Sequence, residues 1–94
     1  MSKKQLQLKI ITPEKIVLDE AVDSVSLPTT EGEITILPDH IALISTLASG
    51  DIVARVNGED VPMAVSGGFI EVSNNQVKIL ADFAEHVSDL SDEA

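Results

Sequence analysis

The sequence contains no cysteine, tryptophan or tyrosine, and its aromatic residues are Phe69 and Phe83. Without cysteine the chain can build neither a disulfide framework nor a thiolate metal site, which fits a reducing compartment without requiring one. With so little aromatic volume the core must come from Val, Ile and Leu, side chains that suit pleated sheets. Basic residues are equally scarce, six Lys and Arg against sixteen Asp and Glu, for a formal net charge of −10. That balance excludes nucleic acid, whose phosphates are held by lysine and arginine. It also disfavours direct docking on an anionic membrane and makes basic protein surfaces the natural partners. No stretch approaches the roughly 20 apolar residues of a spanning helix. Lys3 and Lys4 are followed by no apolar signal core, so a soluble, unexported chain is expected.

What the sequence does have is alternation. Its 94 residues are 44% hydrophobic, enough for one core and too few for two. Leu6, Leu8 and Ile10 alternate with polar neighbours, as do Val25 and Leu27 and Ile34 and Ile36, while Ile16 and Leu18 alternate with Val17 and Asp19. A period of two marks strands with one buried face. Turn signals separate them. Thr12-Pro13-Glu14 follows the first strand, Pro28 is expected to end the third, and Glu31-Gly32-Glu33 reverses the chain at a glycine. Pro38 closes the next strand. Residues 41–47 are nearly all apolar, which predicts a strand buried on both faces or crossing between sheets. Ile52, Ala54 and Val56 lead to Asn57-Gly58, the strongest short hairpin signal in the chain. Val61, Met63 and Val65 return, with Pro62 placing that strand at an edge or at its start. Ser66-Gly67-Gly68 reads as another turn and Asn74-Asn75 as the last, before Val77, Ile79, Ala81 and Phe83 alternate. Eight or nine short strands without a helix predict an all-β sandwich or barrel over residues 1–86. Residues 87–94 form an acidic tail, frayed or starting a helix.

The parts of an enzyme are missing. No serine sits in a Gly-x-Ser-x-Gly elbow, and the histidines are His40 and His86. Asp39-His40 could offer two metal ligands, but a polar loop is the simpler explanation. Gly67-Gly68 lacks the spacing of a phosphate cradle. Glu31 and Glu33, beside a glycine turn, read as solvated shoulders rather than an acid–base pair. No catalytic, cofactor or metal site is therefore expected, which leaves binding or assembly. One such role is a stand-alone acidic module for calcium or carbohydrate, although no Asp-x-Asp-x-Asp loop is present and Trp and Tyr are absent.

Three collinear blocks carry a resemblance. Residues 31–44, Glu-Gly-Glu-Ile-Thr-Ile-Leu-Pro-Asp-His-Ile-Ala-Leu-Ile, resemble the signature of the epsilon subunit of bacterial F-type ATP synthase. The family pattern there is Glu-Gly-x-hydrophobic-Gly-hydrophobic-x-Pro-Gly-His-x-x-Leu-hydrophobic. Residues 66–72, Ser-Gly-Gly-Phe-Ile-Glu-Val, with Val77-Lys78-Ile79-Leu80-Ala81-Asp82 after the Asn-Asn turn, give the second block. Leu8-Lys9-Ile10-Ile11-Thr12-Pro13-Glu14 resembles the family's first strand and turn. Thr35 and Asp39 stand where the family has glycine, and Ser49 where proline precedes Gly50.

The resemblance implies a sandwich of two antiparallel sheets, about ten short strands, without the C-terminal helical hairpin that family members commonly carry. It implies a non-catalytic central-stalk subunit that bridges the gamma subunit and the membrane c-ring and couples ion flow to ATP synthesis. The expected place is the cytoplasmic face of the bacterial inner or plasma membrane, with membrane association only through the complex. By motif position Glu31, Glu33 and His40 are expected at the c-ring, with Gly32, Pro38, Gly67 and Gly68 as structural turns. Lacking the helices, the chain is expected neither to bind ATP nor to inhibit hydrolysis through them.

Overall fold

The computed structural model describes residues 4–40 and 42–86, so Ile41 and the acidic tail 87–94 lie outside the described residues. The alternating segments become β1 (Leu6–Ile11), β2 (Ile16–Val22), β3 (Ser24–Thr29), β4 (Gly32–Ile36), β5 (Leu43–Leu47) and β6 (Gly50–Val56). Two longer strands follow, β7 (Glu59–Ser73) and β8 (Gln76–His86). The described residues contain no helix.

Pairing sorts these strands into two layers. In one, β2, β1, the first half of β8, the second half of β7 and β5 lie side by side. In the other the order is β4, β3, β6, the first half of β7 and the end of β8. The hairpin of β7 and β8 thus belongs to both layers, and eight continuous strands supply the roughly ten segments expected. All pairs are antiparallel except β1 with β8, which is parallel. Inner faces interdigitate Leu6, Leu8, Ile10, Val25, Leu27, Ile36, Ile52, Met63, Ile70 and Ile79, each almost fully buried. The core is aliphatic, with both phenylalanines outside it. Thr29 is buried as well: its hydroxyl donates to the Gly32 carbonyl at 2.6 Å and accepts from the Glu31 amide at 3.1 Å.

Three expectations need correction. Ser66-Gly67-Gly68 does not end a strand, because β7 runs straight through it. Here β7 changes partner on one flank, from Gly50 opposite Val65 to Leu47 opposite Gly68, while β8 stays paired on the other. The backbone bends through φ values of 60° at Gly67 and 129° at Gly68. A Cβ on Gly68 would fall onto the Leu80 carbonyl oxygen and within 2.9 Å of the Ala81 Cα. Only glycine fits.

Pro28 does not stop β3, which continues to Thr29. The N–H and C=O of a strand residue point to the same side, and Pro28 sends its carbonyl toward the Ala48 amide at 2.8 Å. On that side β6 lets go after Ser26 and β5 joins only at Thr29, so a missing N–H costs no ladder bond. Pro62, by contrast, has β6 alone beside it, since pairing of β7 with the described part of β8 starts at Met63. Finally, of the two forms expected for residues 41–47, burial on both faces fails, whereas β5 does reach across the layers, pairing with β7 in one and β3 in the other. Its exposure alternates and Ile44 is 77% exposed. Its ladder with the second layer is a single pair, Thr29 with Leu47, flanked by the Thr30–Thr46 and Ala48–Pro28 backbone bonds.

Substituting Gly68 by alanine should destabilise the fold by about 3 kcal/mol or more, because both the conformation and the space are denied to a side chain. Gly58 sits in an open turn where a Cβ meets nothing within 4 Å. Gly58→Ala is therefore strained only by its φ of 83° and should cost about 1 kcal/mol. Urea denaturation of the two variants measures the difference.

Candidate functional site

The strand order gives the sandwich two ends. At one lie the 12–15 turn, the β3–β4 turn and the bend of β7. At the other lie Lys4, the 37–40 loop, the Asn57-Gly58 turn and the Asn74-Asn75 turn. Glu31 occupies the first end, in the two-residue turn between Thr29 and Gly32, which pair with each other. Gly32 has φ 123°, and Glu31 and Glu33 are both exposed. The Thr29 hydroxyl holds the turn from inside, and the Thr30 amide donates to the Thr46 carbonyl at 3.2 Å. The acidic tip is therefore pinned to β5.

His40 is elsewhere. From Glu31 the chain climbs the whole of β4 before reaching it, about 20 Å at roughly 3.3 Å per residue. The expected single edge of Glu31, Glu33 and His40 does not form: the carboxylates and the imidazole mark opposite ends of one strand. The sequence put them nine residues apart, and an intervening strand stretches that spacing instead of folding it up.

At the far end the chain turns through Leu37, Pro38, Asp39 and His40, with the His40 amide donating to the Leu37 carbonyl at 3.1 Å. Pro38 followed by Asp39 at φ 68° is the pattern of a type II turn, whose third position favours glycine or asparagine. Asp39 holds that conformation with its side chain. Its amide donates to Asn75 Oδ1 at 2.6 Å, and its carboxylate accepts from Asn75 Nδ2 at 3.2 Å and from Lys4 Nζ at 2.6 Å. Asn75, itself at φ 59°, also receives the Gln7 amide on its carbonyl at 2.9 Å. Next to Lys4, Gln5 Nε2 donates to Asp23 Oδ1 at 3.1 Å, and Asp23 Oδ2 accepts the Asn57 amide at 2.9 Å. Lys4 and Gln5, consecutive residues just before β1, thus lace together the loops of this end.

The outer face of the β1-containing layer carries a feature that no sequence motif announced. Ile16, Ile11, Leu80, Phe69 and Thr46 lie in register across five strands. Ile16, Leu80 and Phe69 are exposed. The next row is Asp19, Lys9, Lys78, Glu71 and Ile44, two acids flanking two lysines and ending in an apolar side chain. Phe83 is exposed beyond the apolar row, beside Pro13 along a shallow groove. Register, rather than any motif, assembles these rows. A sequence reading that tracked outward positions as closely as inward ones had the signal in Phe69, Leu80 and Ile44.

Among the described residues no group of three His, Cys, Asp or Glu side chains could hold a metal ion. No helix there is long and apolar enough to cross a membrane. The arrangement offers surfaces: an acidic tip, an apolar row beside a balanced row of charge, and a laced end.

Known proteins share this chain's pattern. Residues 5–87 match the family described as ATP synthase, Delta/Epsilon chain, beta-sandwich domain. The ATP synthase epsilon chain of Nitratidesulfovibrio vulgaris strain Hildenborough is 48% identical over 87 residues, 93% of this chain and 65% of the relative. That of Herpetosiphon aurantiacus is 46% identical over 93% of this chain and 64% of the relative. The chain thus spans just under two thirds of the length of these relatives. Among solved structures, a chain of the Euglena gracilis mitochondrial ATP synthase OSCP/F1/c-ring assembly superposes with a TM-score of 0.85 at 26% identity, over 90% of this chain and 55% of that one. One from the Tetrahymena thermophila mitochondrial central stalk and c-ring gives 0.76 at 20% identity, over 98% and 75%, a likeness of fold.

The Lys4 hydrogen bond, then that of Asn75, then the Lys4 charge hold the Asp39 carboxyl below the usual aspartate range. A carboxyl group lowered in the folded state stabilises the fold at pH values above the ordinary aspartate range. It loses that contribution as pH falls through its own, lower value. Carbon-detected NMR titration should place Asp39 below the ordinary range, and Lys4→Met should move it up. An Asp39 that titrates like a free aspartate in the parent chain would contradict the clip.

Proposed function

The chain belongs to the ATP synthase delta/epsilon-chain family through its β-sandwich domain, and from that membership we propose that it is a non-catalytic rotor subunit of an F-type ATP synthase. In this role it joins the gamma subunit to the membrane c-ring and helps couple ion flow to ATP synthesis. It associates with the membrane through the complex, on the cytoplasmic side in a bacterial cell.

One observation supports the role above the others. The acidic tip and the apolar row adjoin, because the Thr30 amide is bonded to Thr46, the residue that ends the row. Two partners can therefore be held by neighbouring but differently built surfaces. The tip, with Glu31 and Glu33, suits polar, basic loops of a ring, where carboxylates set register and partner choice rather than bulk affinity. Each exposed pair contributes only about 0–1 kcal/mol. The apolar row suits the gamma subunit. Beside it the Asp19, Lys9, Lys78 and Glu71 row sums to zero charge, on a chain whose net charge is −10. A partner approaching this face meets little of the field of the rest. His40 leaves the c-ring set, since it lies at the end of the sandwich away from the tip.

Reconstitution with purified gamma subunit and c-ring tests the role. Stable association of the two should require this chain. Phe69→Ser, on an exposed side chain, should weaken gamma binding about tenfold or more while leaving the fold intact. A cysteine at Glu33 should crosslink to a c-ring loop, and one at Gly58, at the other end, should not. Equal crosslinking at both positions defeats the orientation.

A further inference from the structure

The outer face described above depends on a strand that is weakly held. β5 carries Ile44 and Thr46 into the two outward rows. On one flank it pairs with β7 along its length. On the other it meets β3 at a single pair, Thr29 with Leu47, and the Thr30 amide bonds Thr46 close by. Both of these anchors lie at its C-terminal end. Its entry, from the 37–40 turn, has no β3 pair, and there the Asp39, Asn75 and Lys4 contacts supply the fastening.

The fastening is specific in form. The Asp39 amide and carboxylate each bond one atom of the same Asn75 amide group, so the pair is reciprocal and fixes orientation as well as distance. Asn75 sits in the turn that joins β7 to β8, the strands that present Glu71, Phe69, Lys78 and Leu80. The clip therefore sets the lead-in to β5 against the hairpin whose outward side chains β5 must align with. Lys4 adds a charge partner from the approach to β1, the strand that presents Ile11 and Lys9 to the same face. Strands contributing to both rows are thus tied together by one carboxylate.

We propose that Asp39 is a positioning residue for the face that meets the gamma subunit: through Asn75 and Lys4 it anchors the entry of β5, so that Ile44 and Thr46 hold fixed places beside Glu71 and Phe69. The proposal rests on the rotor reading for its partner, and on the geometry alone for the clip. Asp39 touches the partner in no part of it. It acts through β5.

A swap experiment separates these levels. Asn75→Asp sets two carboxylates against each other and breaks the reciprocal pair. The double variant Asp39→Asn with Asn75→Asp restores it with the roles exchanged, since an asparagine at position 39 can donate where the aspartate accepted. Amide hydrogen exchange at His40 and Ile44 should quicken about tenfold in Asn75→Asp and return toward the parent rate in the double variant. Affinity for purified gamma subunit should fall about fivefold in the single variant and recover to within about twofold in the swap. Lys4→Met, which leaves the reciprocal pair standing, should change affinity less than about twofold. Unchanged exchange at His40 and Ile44 in Asn75→Asp overturns the clip. Quickened exchange with gamma affinity unchanged overturns the positioning role and leaves the rotor reading intact. A parent chain that does not bind gamma at all overturns both.

Discussion

Everything in this sandwich depends on the bend of β7 at Gly67 and Gly68. A flat hairpin of β7 and β8 would leave one face of each strand without a partner layer. By bending both strands at one place, the chain brings Met63 and Val65 over the same core as Ile70 and Val72. The two layers are then parts of one hydrogen-bonded network rather than two sheets pressed together. The cost is a position where a side chain cannot exist, because Leu80 and Ala81 occupy the place of a Cβ on Gly68. The return is an aliphatic core of discrete packing, which resists compression and shear.

That rigidity suits the proposed role. A subunit that carries torque between two partners loses work if it deforms or if its contacts slip. The first is met by the core and by the polar lacing of Lys4, Gln5, Asp23, Asp39, Asn57 and Asn75 at one end. The second is met by putting an acidic tip and an apolar face next to each other at the other end. Neither surface has the converging titratable groups of a catalytic cleft.

Much of this fold is legible in the sequence because burial imposes a period of two: every alternating run is a strand and most of its inward residues are buried, with Ile16 and Phe83, toward strand ends, left exposed. The errors share a cause. Proline and glycine usually punctuate strands, so Pro28 and Gly67-Gly68 read as stops in the sequence. Whether they do depends on what lies on each flank, and that is decided by distant partners: β5 and β6 for Pro28, Leu80 and Ala81 for Gly68. For the apolar run 41–47, burial on both faces fails while the link between layers holds, because hydropathy does not say whether an outward side chain meets water or a partner. Ile44 is such a side chain. The candidate site was legible in part. The glycine turn reads Glu31 and Glu33 as solvated shoulders, and both are exposed, but nearness in sequence to His40 is not nearness in space.

Asp39 shows how a departure from local preference can be absorbed. The third position of a type II turn favours glycine, and a non-glycine residue there carries a conformational penalty of about 1–2 kcal/mol. Glycine would avoid that penalty but leave the turn free to open, since it contributes no side chain to hold it. Asp39 instead gains a reciprocal pair with Asn75 and a charge partner in Lys4, contacts that an exposed surface keeps weak but that fix geometry. The exchange is therefore not chiefly one of global stability. What it changes is local: a turn that glycine would leave loose becomes a fixed lead-in to β5. A single residue can in this way be decisive for the shape of a surface.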